Sequence, residues 1–179
     1  MKIVVVGRGK VGGGLAKLWS AAGHEVTTLG RDGGDASDAD VVVVAVPGAG
    51  IADALAGVKG VEGKITIDTT NAMGGGSGDF PSLAHEVKSI VDAPVAKSFN
   101  TNFASLYDQI AGQTVRPSNL FAADEGAREV TAQLISDAGY DPVFVGGLDR
   151  APALETYLHI AFGAAETLGP FFYRMAPTL

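Results

Sequence analysis

Ile3-Val4-Val5-Val6-Gly7-Arg8-Gly9-Lys10-Val11-Gly12 is the stretch on which the reading of this chain turns. Four β-branched residues without polar alternation read as a short strand buried on both faces. A glycine-rich turn follows, and then Leu15, Ala16, Leu18, Trp19 and Ala22 recur at helical spacing. Gly23 ends that helix, and Glu25-Val26-Thr27-Thr28-Leu29 reads as a second strand. Residues 3–29 therefore form one β-α-β unit, with parallel strands and a right-handed crossover.

Within that unit Gly7, Gly9 and Gly12 fill the pattern G-x-G-x-x-G, with Arg8, Lys10 and Val11 between them. The pattern takes its meaning from its place, directly after a strand and opening a helix. Gly7 serves the tight turn, Gly9 lets a pyrophosphate approach the backbone, and Gly12 lets helix and strand pack closely. The helix N-terminus adds free N–H groups and the positive end of its dipole. The expected ligand is a dinucleotide; a glycine-rich turn that binds nothing is the bland alternative.

The end of the second strand selects the dinucleotide. An acidic residue there suits the ribose 2′-hydroxyl of NAD, and an arginine the 2′-phosphate of NADP. Here the strand ends Leu29-Gly30-Arg31-Asp32. Gly30 leaves space, Arg31 presents a planar fork suited to phosphate, and Arg8 is a second candidate partner. Asp32 is a counter-signal for NAD, and Arg31 could instead be a solvated charge paired with Asp32 or Asp35. The expectation is NADP.

Further strands are expected at 41–46, 64–68, 93–98, 119–123 and 142–145, and helices at 50–57, 80–87, 124–138 and 150–168. Residues 102–112 read as a short helix or irregular segment, and 72–79 as a glycine-rich loop. Residues 30–40 are too few for a helix plus a strand. The fold class is α/β, a Rossmann-like doubly wound, mainly parallel sheet with a C-terminal helix. Residues 1–179 form a single domain, with 149–179 as a helical tail. Its small residues and Phe162, Phe171, Phe172 and Tyr173 suit a homodimer interface as well as ordinary packing.

Ligands in such sheets lie outside the carboxyl ends of the strands. Ala45-Val46-Pro47 ends one strand and is expected to line the cofactor. Thr69 and Asn71 follow another, and Lys97 and Asn100 a third; these polar groups are expected near the nicotinamide.

The remaining composition excludes more than it selects. Twenty acidic and 13 basic residues among 179 give a net charge of −7. That balance carries no footprint for nucleic acid or an anionic membrane. The absence of cysteine excludes disulfides, thiol chemistry and Cys-ligated metals. His24, His85 and His159 are too far apart in sequence to signal a metal site, and none is expected. The apolar start is too short for a signal peptide, and no apolar run approaches the ~20 residues of a bilayer span. The expected location is the cytoplasm.

Val95-Ala96-Lys97-Ser98-Phe99-Asn100-Thr101 resembles the V-K-A-F-N-T stretch of the NADPH-dependent reductases of coenzyme F420, a deazaflavin. The glycine motif and Gly30-Arg31 are similar to that family's NADP site, and Ile67-Asp68-Thr69-Thr70-Asn71 to its D-x-T-N turn. Asn119 to Asp124, Gly139 to Val143, Gly146 to Ala151 and Leu154-Glu155 are similar to its C-terminal half. The resemblance implies NADP over the glycine loop, with its 2′-phosphate at Gly30 and Arg31. It also implies a pocket where F420 or a flavin docks, and dimers through C-terminal helices. Two departures stand out. Segment 30–40 is shorter than the family's, which removes a helix and an edge strand and opens the adenosine end. Ser98 stands where alanine is expected.

Hydride transfer between two cofactors needs alignment rather than a protein nucleophile or metal, so no catalytic side chain is assigned. A dehydrogenase acting on a small carbonyl or imine is the alternative, and it needs a general acid or base, with Lys97 and His159 as candidates. A non-catalytic NADP(H) redox sensor is a third reading. His159 itself reads more readily as a packing histidine, and His24 and His85 as a turn residue and a polar-face residue.

Overall fold

The computed structural model describes residues 1–72 and 78–177. The glycines Gly74, Gly75 and Gly76 of the expected loop lie outside the described residues. The chain runs β1 (Lys2–Val6), α1 (Lys10–Ala21), β2 (Glu25–Leu29), β3 (Gly34–Asp35), β4 (Val41–Val44) and α2 (Ile51–Ala56). It continues through β5 (Val58–Lys59), β6 (Ile65–Asp68), α3 (Leu83–Val91), β7 (Val95–Lys97), β8 (Ser118–Ala123), α4 (Glu125–Asp137), β9 (Asp141–Gly146) and α5 (Ala151–Leu168).

Seven strands form one sheet in the order β2-β1-β4-β6-β7-β8-β9. β1 lies parallel between β2 and β4, with Val4 opposite Thr27 on one side and Val42 on the other. All neighbours are parallel except β7 and β8, where Lys97 faces Ala122 in an antiparallel pair. This is the Rossmann-like, mainly parallel sheet that the alternating pattern predicts.

The valine runs fill both faces of the sheet, because successive side chains point to opposite sides. Ile3, Val5, Val41 and Val43 pack with Leu15 and Trp19 of α1 and Leu134 and Ile135 of α4. Val4, Val6, Val42 and Val44 pack on the other side with Leu55 of α2 and Val87 and Val91 of α3. Trp19 is fully buried, and its indole N–H donates to the Leu134 carbonyl (2.8 Å), tying α1 to α4.

Segment 30–40 holds no helix, and its one strand is the two-residue β3, which pairs with β5 outside the main sheet. β2 is therefore an edge strand, as the short segment predicts. Several boundaries differ from the sequence reading by one to four residues. α3 starts at Leu83 rather than 80, because Ser82 is extended and its hydroxyl caps the N–H of His85 (3.4 Å). β7 stops at Lys97, two residues before Phe99 takes a left-handed φ of 60°. The 102–112 segment is a 3₁₀ helix, Ala104–Gly112.

α5 buries Ala151, Leu154, Leu158 and Ala161. Ile160 and Leu168, on the same helix, stand 66% and 69% exposed. Beyond α5 the chain returns to β8, where the Ser118 N–H donates to the Tyr173 carbonyl (2.9 Å). His159 is exposed, so it is not the packing histidine its neighbours Leu158 and Ile160 suggest. His24 instead sits 2.9 Å from the Asp137 carboxylate and ties the α1–β2 turn to the end of α4. No helix among the described residues is long and apolar enough to cross a membrane.

Candidate functional site

The three motif glycines occupy three different environments. Gly7 has a φ of +119°, and a Cβ there would strike the Ala45 carbonyl. A Cβ on Gly12 would strike the Gly7 carbonyl and come within 3.1 Å of the Ala45 methyl. A Cβ on Gly9 would meet nothing within 4 Å. Two glycines are thus needed to close the turn on β4 and α1, while the third faces open space. The first helical bond of α1 runs from the Gly13 N–H to the Gly9 carbonyl (2.8 Å). The N–H groups of Lys10, Val11 and Gly12 therefore have no acceptor within the helix. No acidic residue occupies this first turn, so its positive dipole end is uncompensated.

A cavity of about 660 Å³ opens beside this turn, lined by Gly7, Arg8 and Gly9, by Gly30 and Arg31 after β2, by Ala45, Val46 and Pro47 after β4, and by Asp53 of α2. Arg8 is held in place: its Nε and Nη2 donate to the Thr28 carbonyl at 3.2 and 2.9 Å. Its guanidinium lies over Gly30, where a Cβ would sit 3.2 Å from Nη1. Gly30 therefore leaves room for Arg8 to cover the end of β2, where a Cβ would press the guanidinium back by a few tenths of an ångström. Arg31 is exposed and forms no hydrogen bond or ion pair among the described residues, with Asp32 and Asp35 included. Asp35 instead accepts from Ser37, whose side chain and then N–H hold its carboxyl below the usual range, and it pairs with Lys59. Two guanidinium groups therefore reach one end of this cavity.

A second cavity, about 180 Å³, lies across the ends of β6 and β7. Val11, Thr69, Asn71, Asn100, Phe103 and Phe162 are among its lining residues, and none of its lining side chains is titratable. The two asparagines are interlocked. The Asn71 amide donates to the Asn100 carbonyl (2.9 Å), and the Asn100 amide donates to Asn71 Oδ1 (3.0 Å). The Thr69 hydroxyl turns inward to the Val44 carbonyl (2.9 Å). Phe99 is buried edge-on against Trp19 with ring centroids 5.6 Å apart, and its N–H reaches Asn119 Oδ1 (3.4 Å). This buried anchor holds the left-handed turn that carries Asn100 to the cavity. Tyr173 backs Thr101 through a 2.7 Å hydroxyl contact, and burial raises its phenol above the ordinary value.

Lys97 does not stand on the cavity rim, which corrects the expectation that it reaches a ligand directly. It is fully buried, and Nζ contacts Asp68 Oδ2 (2.7 Å), the Thr70 carbonyl (2.6 Å) and Glu155 Oε1 (2.8 Å). An ammonium has three hydrogens, and these three acceptors occupy them. Glu155 also accepts from the Leu83 N–H (3.0 Å), so one buried cluster joins β6, β7, α3 and α5. Nearby, burial and then the Asp68 carboxylate raise the Glu86 carboxyl above its ordinary range.

The sequence-expected residues thus fall into two cavities and one supporting cluster. Gly7, Arg8, Gly9, Gly30, Arg31, Ala45, Val46 and Pro47 share the first cavity, and Val11, Thr69, Asn71 and Asn100 share the second. Lys10 and Gly12 line neither cavity and offer N–H groups at the glycine turn. Asp53, Phe103 and Phe162 were not anticipated as lining residues. The last two meet at 5.9 Å between ring centroids across 59 positions of chain, a pairing with no local sequence signal.

No protein-family profile and no curated protein matches the chain. Solved structures do. A protein provisionally described as an F420-dependent NADP reductase, from Arthrobacter sp. FB24, matches 99% of this chain and 100% of its own, with a TM-score of 0.82 and 27% identity. That is the family whose motifs the sequence resembles. A hypothetical protein from Sinorhizobium meliloti matches 98% of this chain and 93% of its own, with a TM-score of 0.66 and 24% identity. A reductive aminase from Aspergillus terreus, in complex with NADPH, covers 94% of this chain at a TM-score of 0.64 and 14% identity. This chain corresponds to 62% of that longer enzyme. These last two share the fold.

Proposed function

We propose that this chain is an NADP(H)-binding oxidoreductase that passes hydride between the nicotinamide and a second, flavin-like ring such as coenzyme F420 or a flavin. The observation that carries the reading is a pair of cavities of opposite character. One is cationic at its far end and opens on a glycine turn with free N–H groups. The other is neutral and amide-lined, and holds no acid or base.

The residues fit a dinucleotide. Gly9 leaves its side of the turn open, where a pyrophosphate can meet the unpaired N–H groups of Lys10, Val11 and Gly12. Arg8 and Arg31 hold the 2′-phosphate, with Arg8 already oriented by Thr28. Ala45, Val46 and Pro47 form an apolar wall of the first cavity. When bound, NADPH supplies the hydride, and the acceptor ring supplies its own electron sink. Thr69, Asn71 and Asn100 orient the reacting rings, and Phe103 and Phe162 exclude water from one side.

The carbonyl or imine alternative needs a proton donor at the reacting atoms. Lys97 is spent on three buried acceptors, and His159 lies on α5 outside both cavity linings. The segment between Ala72 and Gly78, Met73-Gly74-Gly75-Gly76-Ser77, carries no acid or base either. An acceptor that takes hydride without a protein proton fits this lining better.

The test is a titration with NADPH and NADH, followed by NADPH oxidation with F420 or lumiflavin as acceptor. Tight NADPH binding is expected. Arg31→Ala should weaken it about tenfold, the share of one charge-assisted contact, and leave NADH nearly unchanged. Equal losses for both nucleotides would overturn the 2′-phosphate assignment. Turnover with a small imine or ketone and none with either ring would overturn the flavin-like acceptor.

A further inference from the structure

The first cavity is cationic where Arg8 and Arg31 reach it, yet it also carries a carboxylate. Asp53 is the one acidic residue among those lining it. It lies on α2, is exposed, and its side chain makes no hydrogen bond or ion pair with any described residue. Arg31 lines the same cavity and is equally free, so two opposite charges share one cavity without pairing. Val46, Pro47 and Ala54 give the same lining an apolar part. The cavity is open beside α2 as well. A Cβ on Gly50, three positions before Asp53 and also in the lining, would meet nothing within 4 Å.

A carboxylate works against a cavity that takes phosphates. Like charges that share a partly enclosed site repel, and salt screens them less there than on an open surface. Asp53 has little structural duty to set against that. It stands in the first turn of a helix of only six residues, where an acid offsets the dipole modestly. A dinucleotide gives it another use. The pyrophosphate takes the glycine turn and the 2′-phosphate takes Arg8 and Arg31, which leaves the base of the adenosine half unassigned. Adenine has apolar faces, and its edge carries an exocyclic amine that donates hydrogen bonds. The faces suit Val46, Pro47 and Ala54. The amine suits a free carboxylate, which only accepts.

We infer that the Asp53 carboxylate accepts a hydrogen bond from the exocyclic amine of the bound adenine, and so makes the first cavity selective for a 6-aminopurine. The inference rests on the proposed function, which supplies the dinucleotide but gives its base no partner. Bound in this way, the amine turns a repulsive charge into a specific contact.

The experiment uses the 6-deamino analogue of NADPH, whose purine carries hydrogen in place of the amine. The analogue keeps the phosphates, both riboses and the nicotinamide, and it adds neither bulk nor a new donor. Its Kd is compared with that of NADPH on the wild-type protein, Asp53→Ala and Asp53→Asn. The wild-type protein should bind the analogue about tenfold or more weakly, the share of one charge-assisted hydrogen bond. Asp53→Ala should bring the ratio of the two Kd values close to one. Asp53→Asn keeps the shape without the charge, so its ratio should fall between. A residue that merely supports α2 would not change this ratio. Equal binding of the two ligands to the wild-type protein overturns the inference and leaves the NADP reading intact. If Asp53 only repels phosphate, the wild-type ratio is one and Asp53→Ala tightens both ligands alike. A wild-type ratio that survives Asp53→Ala assigns the amine to another group and overturns the inference too. Failure of NADPH itself to bind the wild-type protein would instead overturn the reading beneath it.

Discussion

Gly7, Gly9 and Gly12 carry one motif and three separate duties, and substitution can tell them apart. A methyl at Gly7 meets the Ala45 carbonyl on a backbone already at positive φ, and one at Gly12 meets the Gly7 carbonyl. Gly7→Ala and Gly12→Ala should therefore each cost about 2 kcal/mol or more, read as a fall in the urea midpoint. Gly9→Ala places its methyl in open space on an ordinary backbone. Its stability cost should stay below about 1 kcal/mol, the loss of a tolerable N-cap glycine. NADPH binding should nevertheless collapse, because the methyl occupies the pyrophosphate's path. A Gly9→Ala protein that binds NADPH normally would remove the phosphate from this turn. The close packing at Gly7 and Gly12 was legible in the sequence, since strand, glycine spacing and helix lie within a few residues of each other. Gly30 was only half legible. The space it leaves is taken by Arg8, and the bond from Arg8 to the Thr28 carbonyl depends on how β1 and β2 lie side by side.

Among the secondary elements, β1, α1, β2 and β4 follow directly from their residue patterns, whereas the ends of α3 and β7 do not. Phe99 adopts a left-handed backbone without being glycine, and only its packing against Trp19 and Tyr140 explains that. The reversal at β8 was also hidden, because β-branched and apolar runs look alike in either direction. The largest gap concerns Lys97, read as a ligand contact at a strand end. Its partner Glu155 lies 58 positions later on α5, and no local pattern joins them. The cluster holds two carboxylates against one ammonium, all buried or nearly so. Lys97→Met would leave Asp68 and Glu155 facing each other without a cation, and should cost about 3–5 kcal/mol. Glu155→Gln keeps an oxygen for the Leu83 N–H and removes one excess charge, so it should cost less. Urea denaturation of both variants checks the order. If Lys97→Met unfolds at the wild-type midpoint, the lysine is not the clamp between β6, β7 and α5, and a direct ligand role returns.

Taken across the whole molecule, the two cavities lie on different halves of the sheet. The first is built on β1, β2, β4 and α2, and the second on the ends of β6 and β7 with residues of the 3₁₀ segment and α5. Truncation of segment 30–40 leaves the first half thinner, with β2 as a bare edge, while β8, β9 and α5 thicken the second. A ligand that reaches both halves should tie them together; a ligand confined to one should not. Adenosine 2′,5′-bisphosphate carries the phosphate for Arg8 and Arg31 but no nicotinamide. In hydrogen exchange it should protect amides at 7–12, 30–31 and 45–54 alone. NADPH should protect those and also 69–71 and 99–103, and the added contacts should appear in stability. At a hundredfold excess over Kd, any ligand that binds only the folded state adds about 2.7 kcal/mol, which for a chain of this size raises Tm by roughly 5–10 °C. At equal concentration NADPH should therefore give the larger rise, because its extra contacts lower its Kd. Identical protection by both ligands would mean that the dinucleotide ends within the first cavity. The neutral second cavity would then be a site for some other molecule, and the hydride path between the two would be lost.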